Sequence, residues 1–191
     1  MFYCDHGCGA SGEMAYALAL GASAARHESS SLSSPTKIMK PGINYIGIST
    51  PFYCNDGKGH FLLHKRSKNC RDEHGRWDTG SGQLEFGLTP EENVLKEVEE
   101  EYGCKGIIQK QLPAHCIFRE WDGHKTHWLA IPFFILVNPA EVKNNEPEKI
   151  EELGWFSLNQ LPEPLHTGFN FTFTKFKKKI EDIDITLRNR I

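Results

Sequence analysis

From Met39 onward, hydrophobic and polar positions follow patterns typical of strands and helices in turn. Two largely apolar runs of strand length, at residues 43–49 and 60–67, are joined by a segment rich in Asn, Asp and Gly. Turn-forming residues between apolar runs predict a β-hairpin. A nearly continuous apolar run at 127–137 predicts one long buried strand. Because proline has no amide hydrogen, Pro132 indicates an edge or a bulge within it.

Two further segments complete this pattern. Residues 154–158 form a short apolar run of strand type. Near the C-terminus, Phe173, Phe176 and Ile180 repeat at helical spacing, which predicts a helix with one face packed on a sheet. Strands mixed with two helices predict an α/β sandwich around one core. The chain of 191 residues is therefore expected to form one domain over residues 39–191.

A short helix is bounded by sequence signals at both ends. Thr89 is followed by Pro90 and then by Glu92, so the Thr89 hydroxyl and the Glu92 carboxylate supply the two halves of a capping box. Gly103 is a matching stop, because glycine adopts the left-handed conformation that ends many helices. Between these positions, four apolar side chains share one face and predict contact with the core: Val94, Leu95, Val98 and Tyr102.

The same helix carries three glutamates beside its apolar face. Glu97, Glu100 and Glu101 are three and four positions apart, so they are neighbours on the helix surface. Like charges at this spacing repel one another, and a divalent cation that takes carboxylate ligands converts the repulsion into attraction. Taken alone, the helix is equally compatible with a solvated acidic face.

The residues before the helix favour the metal site. A glycine-rich loop at 77–88 leads into the helix, and its glycines allow the backbone to approach an anion or a metal closely. From Gly82 to Cys104, the glycines, acids and apolar positions resemble the Nudix box, with no gap in the spacing. The resemblance extends to the flanking segments and covers most of residues 40–165.

The resemblance to Nudix hydrolases implies an α/β/α sandwich with a mixed central sheet. It also implies a bound Mg²⁺, or alternatively Mn²⁺, held by Glu97, Glu100, Glu101 and the carbonyl of Gly82. These glutamates are then the catalytic residues of a pyrophosphohydrolase, in which water attacks a phosphorus of a nucleoside diphosphate linked to another group. By the same resemblance Glu97 is a candidate for the general base.

Candidate substrate-binding residues lie outside the box. Arg66 is preferred over Lys65 as a phosphate ligand, because neighbouring residues of a strand point to opposite faces of the sheet. Three acids that precede Trp155 are alternatives for the general base, and the first two are also predicted to contact substrate: Glu148, Glu151 and Glu152. Four ring-bearing side chains are candidates for stacking on a base, although most aromatic residues form the core: Phe118, Trp121, His127 and Trp128.

Two residues depart from the box. Leu88 occupies the position of its first glutamate and Lys96 that of its arginine, so one carboxylate is lost and a planar guanidinium becomes an ammonium group. We expect Leu88→Glu to raise activity, unless another carboxylate such as Glu85 already fills the gap. A weakly active or inactive Nudix-fold module that binds a nucleotide or a protein is therefore the alternative function.

The substrate is narrowed only by elimination. The residues that mark the ADP-ribose and dinucleoside polyphosphate branches of the family are absent, since Arg119, Glu120 and Trp121 stand near those positions. A nucleoside triphosphate, including an oxidised one, is therefore the leading substrate, with a nucleotide sugar as the other candidate.

Composition and charge limit the remaining classes. The net charge of −3 is near balance and argues against a nucleic-acid partner, even though short basic clusters occur at 64–68 and 175–179. No apolar run reaches the roughly 18 residues of a membrane-spanning helix. Six cysteines without paired spacing predict a reducing compartment, hence a cytoplasmic location. The sequence does not fix the oligomeric state, and a homodimer is compatible with it.

Residues 1–38 differ from the rest in composition. An alanine-rich stretch is followed by a serine-rich one, and neither supplies much side chain to bury. We therefore expect a disordered N-terminal extension. Cys4, His6, Cys8 and His27 occur within it, but they lack the paired spacing that a structural zinc site has.

Overall fold

The computed structural model describes residues 39–189, except for the side chains of Trp121, Leu187 and Arg188. The expected N-terminal extension and the zinc ligands considered within it lie outside this range. The four cysteines in the described part of the chain are free thiols: Cys54, Cys70, Cys104 and Cys116.

Nine strands and two helices form in the described range. In chain order they are β1 Gly47–Asn55, β2 His60–Arg66, β3 Trp77–Asp78, β4 Ser81–Gln83, α1 Pro90–Tyr102, β5 Gly106–Gln111, β6 His115–Trp121, β7 His124–Ala130, β8 Phe133–Val137, β9 Ile150–Ser157 and α2 Thr167–Arg188.

β1 lies at the centre of a mixed sheet. It pairs antiparallel with β2 and β4, and parallel with β7 and β8. The outer pairs are antiparallel and join β9 to β2, β5 to β8 and β6 to β7. The predicted mixed sheet is therefore confirmed.

Successive residues of the central strands face opposite layers, as the pleat requires. One core cluster joins the even-numbered positions of β1 and β2 to the buried face of α1: Phe52, Cys54, Leu62, Val94, Val98 and Tyr102. A second cluster joins the odd-numbered positions to α2: Tyr53, Phe61, Leu63, Phe169 and Ile180. The helices therefore cover the two faces of the sheet, which confirms the α/β/α sandwich.

The hairpin prediction is confirmed, but its first strand is displaced. β1 starts at Gly47 rather than at residue 43, and it continues through Pro51 to Asn55, where a turn was expected. Pro51 is tolerated because β1 changes partners there: β4 and β7 pair with its first half, and β8 and β2 with its second. A strand that exchanges partners has no continuous ladder for a proline to interrupt.

The prediction of one long strand over residues 127–137 is wrong. Pro132 separates β7 from β8, and each of them pairs with a different half of β1. The Pro132 carbonyl accepts a hydrogen bond from the Leu112 amide, whereas its nitrogen has no hydrogen to donate. The short strand expected at 154–158 exists, but it begins earlier, at Ile150.

The C-terminal helix packs as predicted. Ile180 is fully buried, and Phe173 and Phe176 are partly buried against the same core cluster. The backbone of Phe176 departs from helical values, with φ −115° and ψ 18°, so the helix is kinked there. In the part of the chain that the structure describes, neither helix is long and apolar enough to cross a membrane.

Candidate active site

α1 has the ends that the sequence predicts. The Thr89 hydroxyl accepts a hydrogen bond from the Glu92 amide at 3.2 Å, and the Glu92 carboxylate accepts one from the Thr89 amide at 2.8 Å. At the other end Gly103 adopts the left-handed conformation, with φ 60°, and its amide donates to the Glu99 carbonyl at 2.9 Å. The helix therefore has fixed limits, which set the positions of its glutamates.

A cavity of about 470 Å³ opens beside the C-terminal half of α1. Five acids line it, and three of them lie together at this end: Glu97 and Glu101 of α1 and Glu146 of the loop before β9. The other two, Asp72 and Asp78, contact arginines. Gly82 of β4 lines it as well. The structure thus brings together two of the three predicted helix acids with the predicted backbone ligand, and it adds a carboxylate that the sequence did not single out.

Gly82 is in direct contact with Glu97. A Cβ atom built on Gly82 would lie 1.9 Å from the carboxyl carbon of Glu97 and 2.0 Å from one of its oxygens. Any side chain at this position would have to displace Glu97, because a methyl group and the carboxylate cannot share the same space. The absence of a side chain brings the backbone of β4 against the acid, as the glycine-rich loop predicts.

Glu101 is a buried carboxylate with an incomplete set of partners. Its Oε2 atom is inaccessible to solvent and has no hydrogen-bond partner among the described residues. Burial raises the pKa of Glu101 to about 8, and the nearby carboxylates Glu97, Glu146 and Asp78 add to the shift. The pKa of Glu97 is also raised, first by burial and then by Glu100.

This arrangement fits a divalent cation. A buried oxygen with no donor is costly, and carboxylates that raise each other's pKa repel one another when ionised. A hard cation with oxygen ligands would satisfy the Oε2 atom of Glu101 and offset the repulsion. Glu97 and Glu101 are therefore candidate ligands for the metal that the box implies.

No neighbouring histidine supplies that positive charge. His64 Nδ1 lies 3.7 Å from Glu101 Oε2 and 2.9 Å from the Tyr102 hydroxyl. Burial lowers the pKa of His64 to about 4, so the imidazole is neutral at physiological pH. The Tyr102 hydroxyl also donates to the Thr79 carbonyl at 3.2 Å, so the polar groups behind Glu101 are held by one another.

Glu100 lies apart from the other two helix acids. Its carboxylate is not part of the cavity lining but contacts the Lys96 ammonium nitrogen at 2.9 Å. Lys96 contacts the Glu85 carboxylate at 2.9 Å as well, and these two hydrogen bonds raise the pKa of Lys96. Glu85 and Glu100 therefore share the Lys96 ammonium group. Glu85 lies three positions before Leu88, which stands where the box has its first glutamate.

A second polar cluster occupies another part of the cavity lining. Arg66 contacts Asp72 at 2.7 Å and Asp78 at 3.4 Å, while Arg119 contacts Glu73 at 2.6 Å and Asp72 at 3.3 Å. Burial raises the pKa of Asp78, but His166 and Arg66 outweigh it and hold that pKa below its usual value. The predicted phosphate ligand Arg66 thus already has two anionic partners.

The second cluster also contains three potential metal ligands. Atoms of Asp72, Glu73 and His166 lie within 4.8 Å of one another, which is the spacing that a metal needs. These acids are already neutralised by Arg66 and Arg119. A cation there would have to compete with two guanidinium groups, whereas Glu97 and Glu101 have no such partner among the described residues. The acids of α1 are therefore the stronger candidates for metal ligands.

The two loop acids predicted to contact substrate lie elsewhere. Neither Glu148 nor Glu151 lines the cavity. The Glu148 carbonyl accepts hydrogen bonds from Ser67 and Asn69, so its role in the fold is through the backbone. Glu151 is exposed, with its carboxylate 3.6 Å from Lys65. Glu152 is exposed too, which leaves Glu146 as the acid of this segment that reaches the cavity.

The candidates for base stacking do not all lie at the cavity. Trp128 lines the cavity, whereas Phe118 and His127 do not and instead contact each other with ring centroids 4.4 Å apart. The Trp121 side chain lies outside the described atoms. The sequence reasoning missed Glu146, His64 and Arg119 in the lining. Only Glu146 carried a usable signal, because it begins the acidic segment whose later members were chosen.

Comparison with known proteins agrees with this geometry. The family model described as the NUDIX domain matches residues 47–176. The match covers more than half of the chain and confirms the resemblance seen in the box. The chain belongs to the Nudix hydrolase family.

Individual relatives are distant. The chain is similar to the protein MutT4 of Mycobacterium tuberculosis (strain CDC 1551 / Oshkosh), with 27% identity over 96 residues that cover 49% of this chain and 38% of that protein. It therefore spans well under half of the length of MutT4. An RNA pyrophosphohydrolase of Acinetobacter baylyi (strain ATCC 33305 / BD413 / ADP1) is 24% identical over 129 residues, covering 60% of this chain and 76% of the relative.

The fold has solved counterparts. The crystal structure of a MutT protein from Methanosarcina mazei Go1 superposes with a TM-score of 0.59 and 28% identity, covering 70% of this chain and 94% of the other. Almost the whole of that protein thus corresponds to the domain described above.

Proposed function

We propose that this protein is a Mg²⁺-dependent pyrophosphohydrolase that cleaves a nucleoside diphosphate linked to another group. The observation that carries the proposal is the unpartnered Oε2 atom of Glu101, buried in a cavity beside Glu97 and Glu146 and next to Gly82. Glu97 and Glu101 have no ion pair with a lysine or arginine among the described residues, so they are suited to share a cation with the phosphates of a substrate.

Glu97, Glu101 and the Gly82 carbonyl are the residues that would hold the cation, with Glu100 retained as a further ligand from the box. Mg²⁺ is the expected ion and Mn²⁺ the alternative. When bound, the cation supplies charge neutralisation at the phosphate oxygens and acidifies a water molecule. Glu100 must exchange its contact with Lys96 for this role, and Glu85 is placed to keep Lys96 when it does.

Glu146 is the preferred general base. It lines the cavity, its side chain is partly buried, and Lys149 contacts its carboxylate at 2.7 Å. Its charge raises the pKa of both Glu97 and Glu101, which shows that the three carboxylates are near enough to interact. A base must come within hydrogen-bonding reach of the attacking water, and Glu148 and Glu151 do not line the cavity. Glu97 is the second candidate.

The substrate is proposed as a nucleoside triphosphate, including an oxidised one, or a nucleotide sugar. A cavity of about 470 Å³ accommodates a ligand of nucleotide size. One relative is named as an RNA pyrophosphohydrolase, so a 5′-triphosphate end is a chemically related alternative for this chain. The near-balanced charge of −3 favours a small-molecule partner over a nucleic acid, and so a free nucleotide over an RNA end. A cytoplasmic location and a homodimer as one open oligomeric state are further predictions.

A single assay tests the proposal. Purified protein is incubated with Mg²⁺ and a panel of nucleoside triphosphates and nucleotide sugars, and released phosphate and pyrophosphate are measured. We expect turnover that requires the metal and that falls by about a hundredfold or more in Glu101→Gln, because a lost ligand weakens both charge neutralisation and positioning. Turnover that survives this substitution contradicts the metal assignment.

The alternative function is a Nudix-fold binding module, and Leu88 is the observation that favours it. A module binds nucleotides but releases no product from any of them. Isothermal titration with the same panel separates the two functions, since binding without turnover supports the module and binding with turnover supports the enzyme.

A further inference from the structure

The cavity lining that contains Glu97 and Glu101 also contains an aromatic side chain and a cation in contact with it. The guanidinium carbon of Arg71 lies 5.4 Å from the centre of the Trp128 ring. This is a cation–π contact, and both side chains line the same cavity as the acids. The Trp128 indole and the Arg71 guanidinium group are thus two flat surfaces available to a ligand of this cavity.

Trp128 is firmly seated. It lies on β7 in register with Gly47 of β1 and with Ile117 of β6. A Cβ atom on Gly47 would come within 2.5 Å of its ring, and one on Gly42 within 2.3 Å. The indole therefore occupies the space above two residues that have no side chain. An aromatic ring held in this way is a rigid surface that loses little entropy when a ligand binds.

Arg71 is less enclosed than the other arginines of the cavity. Its side chain is 59% exposed, and it contacts Asp72 at 3.5 Å. Arg66 and Arg119 are each only 16% exposed and contact carboxylates at 2.7 and 2.6 Å. Arg71 can therefore leave its place over the ring at small cost, because its 3.5 Å contact is the longest that Asp72 makes with an arginine and Asp72 keeps Arg66 and Arg119 as partners.

We propose that Trp128 and Arg71 form the subsite for the nucleobase, with the base stacked on the indole and covered by the guanidinium group. This inference rests on the proposed function, since it places the base of a substrate whose phosphates meet Glu97 and Glu101. Aromatic rings and arginine planes are the surfaces on which proteins stack unpaired bases.

The spacing is compatible with this arrangement after a modest movement. A base between two flat groups needs two van der Waals contacts of about 3.5–4 Å each, so roughly 7–8 Å in total. The present separation is 5.4 Å, so Arg71 must withdraw by about 2 Å or slightly more. Three polar side chains in the same lining are available to the edges of the base: Ser49, Asn69 and Gln83.

The experiment compares ligands with and without a base, in EDTA so that no metal contributes. The 5′-monophosphates of adenosine, guanosine, cytidine and uridine are titrated against ribose 5-phosphate by isothermal calorimetry. We expect at least one monophosphate to bind about tenfold or more tightly than ribose 5-phosphate. Trp128→Leu abolishes this advantage, Arg71→Gln reduces it several-fold, and Trp128→Phe retains most of it.

Phe118→Leu is the matched control, because Phe118 is an exposed aromatic residue that does not line the cavity. It should bind all ligands as the unaltered protein does. If Trp128→Leu does not fold, Arg71→Gln provides the test instead, because Arg71 is exposed. A monophosphate affinity that does not change in Arg71→Gln overturns the inference. The inference is also overturned if Trp128→Leu weakens ribose 5-phosphate and monophosphates equally, or if no monophosphate binds better than ribose 5-phosphate.

The two proposals fail separately. Metal-dependent turnover with nucleotide binding independent of Trp128 removes the base subsite and leaves the hydrolase. Binding that depends on Trp128, without turnover of any nucleotide, removes the hydrolase and leaves the base subsite.

Discussion

Gly82 and Glu97 share a space that admits no further atom. A Cβ atom on Gly82 would lie 1.9 Å from the Glu97 carboxyl carbon, far inside any allowed contact. The two residues are fifteen positions apart in the sequence, on β4 and α1, and the fold presses the backbone of one against the carboxylate of the other. This contact links the glycine of the loop to the placement of a metal ligand.

The first prediction concerns Gly82→Ala. The methyl group must displace Glu97 from the cavity, so we expect Mg²⁺ and Mn²⁺ to bind about ten- to a hundredfold more weakly, as when the support of a metal ligand is removed. Isothermal titration with each ion measures this. Ser81→Ala is the control, because Ser81 is exposed and the substitution keeps the backbone amide that hydrogen-bonds to Glu101. Unchanged ion affinity in Gly82→Ala contradicts the assignment of Glu97 as a ligand.

The second prediction separates stability from metal binding at Glu101. Replacing the carboxyl group by an amide of equal size removes a group whose ionisation is opposed by burial and by the charges of Glu97 and Glu146. We therefore expect the melting temperature of Glu101→Gln in EDTA to equal or exceed that of the unaltered protein. The rise in melting temperature that millimolar Mg²⁺ produces should disappear, because a ligand stabilises only the state that binds it. A rise of normal size in Glu101→Gln rules out this residue as a ligand.

The third prediction is a pH dependence of the metal-free protein. The pKa of Glu101 is raised to about 8, so the unfolded chain loses this proton near pH 4.5, whereas the folded chain keeps it until about pH 8. Since the folded state binds more protons in this window, its stability falls as pH rises. His64, with a pKa lowered to about 4, acts in the opposite direction but only below about pH 6.5.

Between pH 6.5 and 8, the effect of Glu101 on stability is therefore separated from that of His64. We expect a loss of roughly 1.5 kcal/mol across it, given about 1.4 kcal/mol per proton and pH unit. Urea unfolding in EDTA at several pH values measures the loss, and Glu101→Gln should remove most of it. An equal slope in both proteins would show that other groups dominate.

The fourth prediction asks whether Glu85 takes over from the glutamate that the box has lost at Leu88. Lys96 contacts both Glu85 and Glu100, so Glu85→Gln should leave Lys96 on Glu100 alone. We expect only a two- to fivefold drop in kcat, because an exposed ion pair contributes little. Leu88→Glu should have little effect in the unaltered protein but should restore kcat in Glu85→Gln.

Steady-state kinetics of the two single variants and the double variant form the measurement. If Leu88→Glu alone raises kcat, Glu85 does not fill the gap and the first expectation from the sequence stands. If Glu85→Gln does not change kcat, the contact between Glu85 and Lys96 does not contribute to activity.

The fifth prediction concerns the contacts that join Glu73, in the segment before β3, to the first residue of α2. Glu73 accepts hydrogen bonds from the Thr167 amide at 2.8 Å and from Arg119 at 2.6 Å. The Thr167 hydroxyl is a third donor to this carboxylate. Removing a charged acceptor that serves three donors should cost about 2 kcal/mol of unfolding free energy. Glu73→Ala is compared in urea with Glu120→Ala, an exposed acid of β6. Equal stability of the two variants would show that the contacts of Glu73 do not stabilise the fold.

Local rules account for what the sequence predicted well. The limits of α1 follow from a capping box, a stop glycine and apolar spacing, all of which act within a few residues. The same spacing predicted Glu97, Glu100 and Glu101 on one surface of the helix, and Glu97 and Glu101 line the cavity while Glu100 contacts Lys96 outside it. The sandwich follows from the alternation of apolar segments, because each must bury one face against another layer.

The weaker predictions all required knowledge of distant partners. Pro51 lies within a strand and Pro132 between two strands, and only the pairing of β1 with four other strands explains the difference. The acid that reaches the cavity is Glu146 rather than Glu148 or Glu151, although all three lie in one short segment. The direction in which a loop presents its side chains is set by what it packs against.

The sequence by itself determined the family, the helix and the kind of chemistry, because those are encoded in spacing along a single element. Only the tertiary structure decided which charges remain uncompensated. Arg66 and Arg119 are neutralised by acids from other segments, whereas the Oε2 atom of Glu101 has no partner in the described chain. Whether a charge is free depends on residues that are near in space and distant in sequence, and the sheet register brings them together.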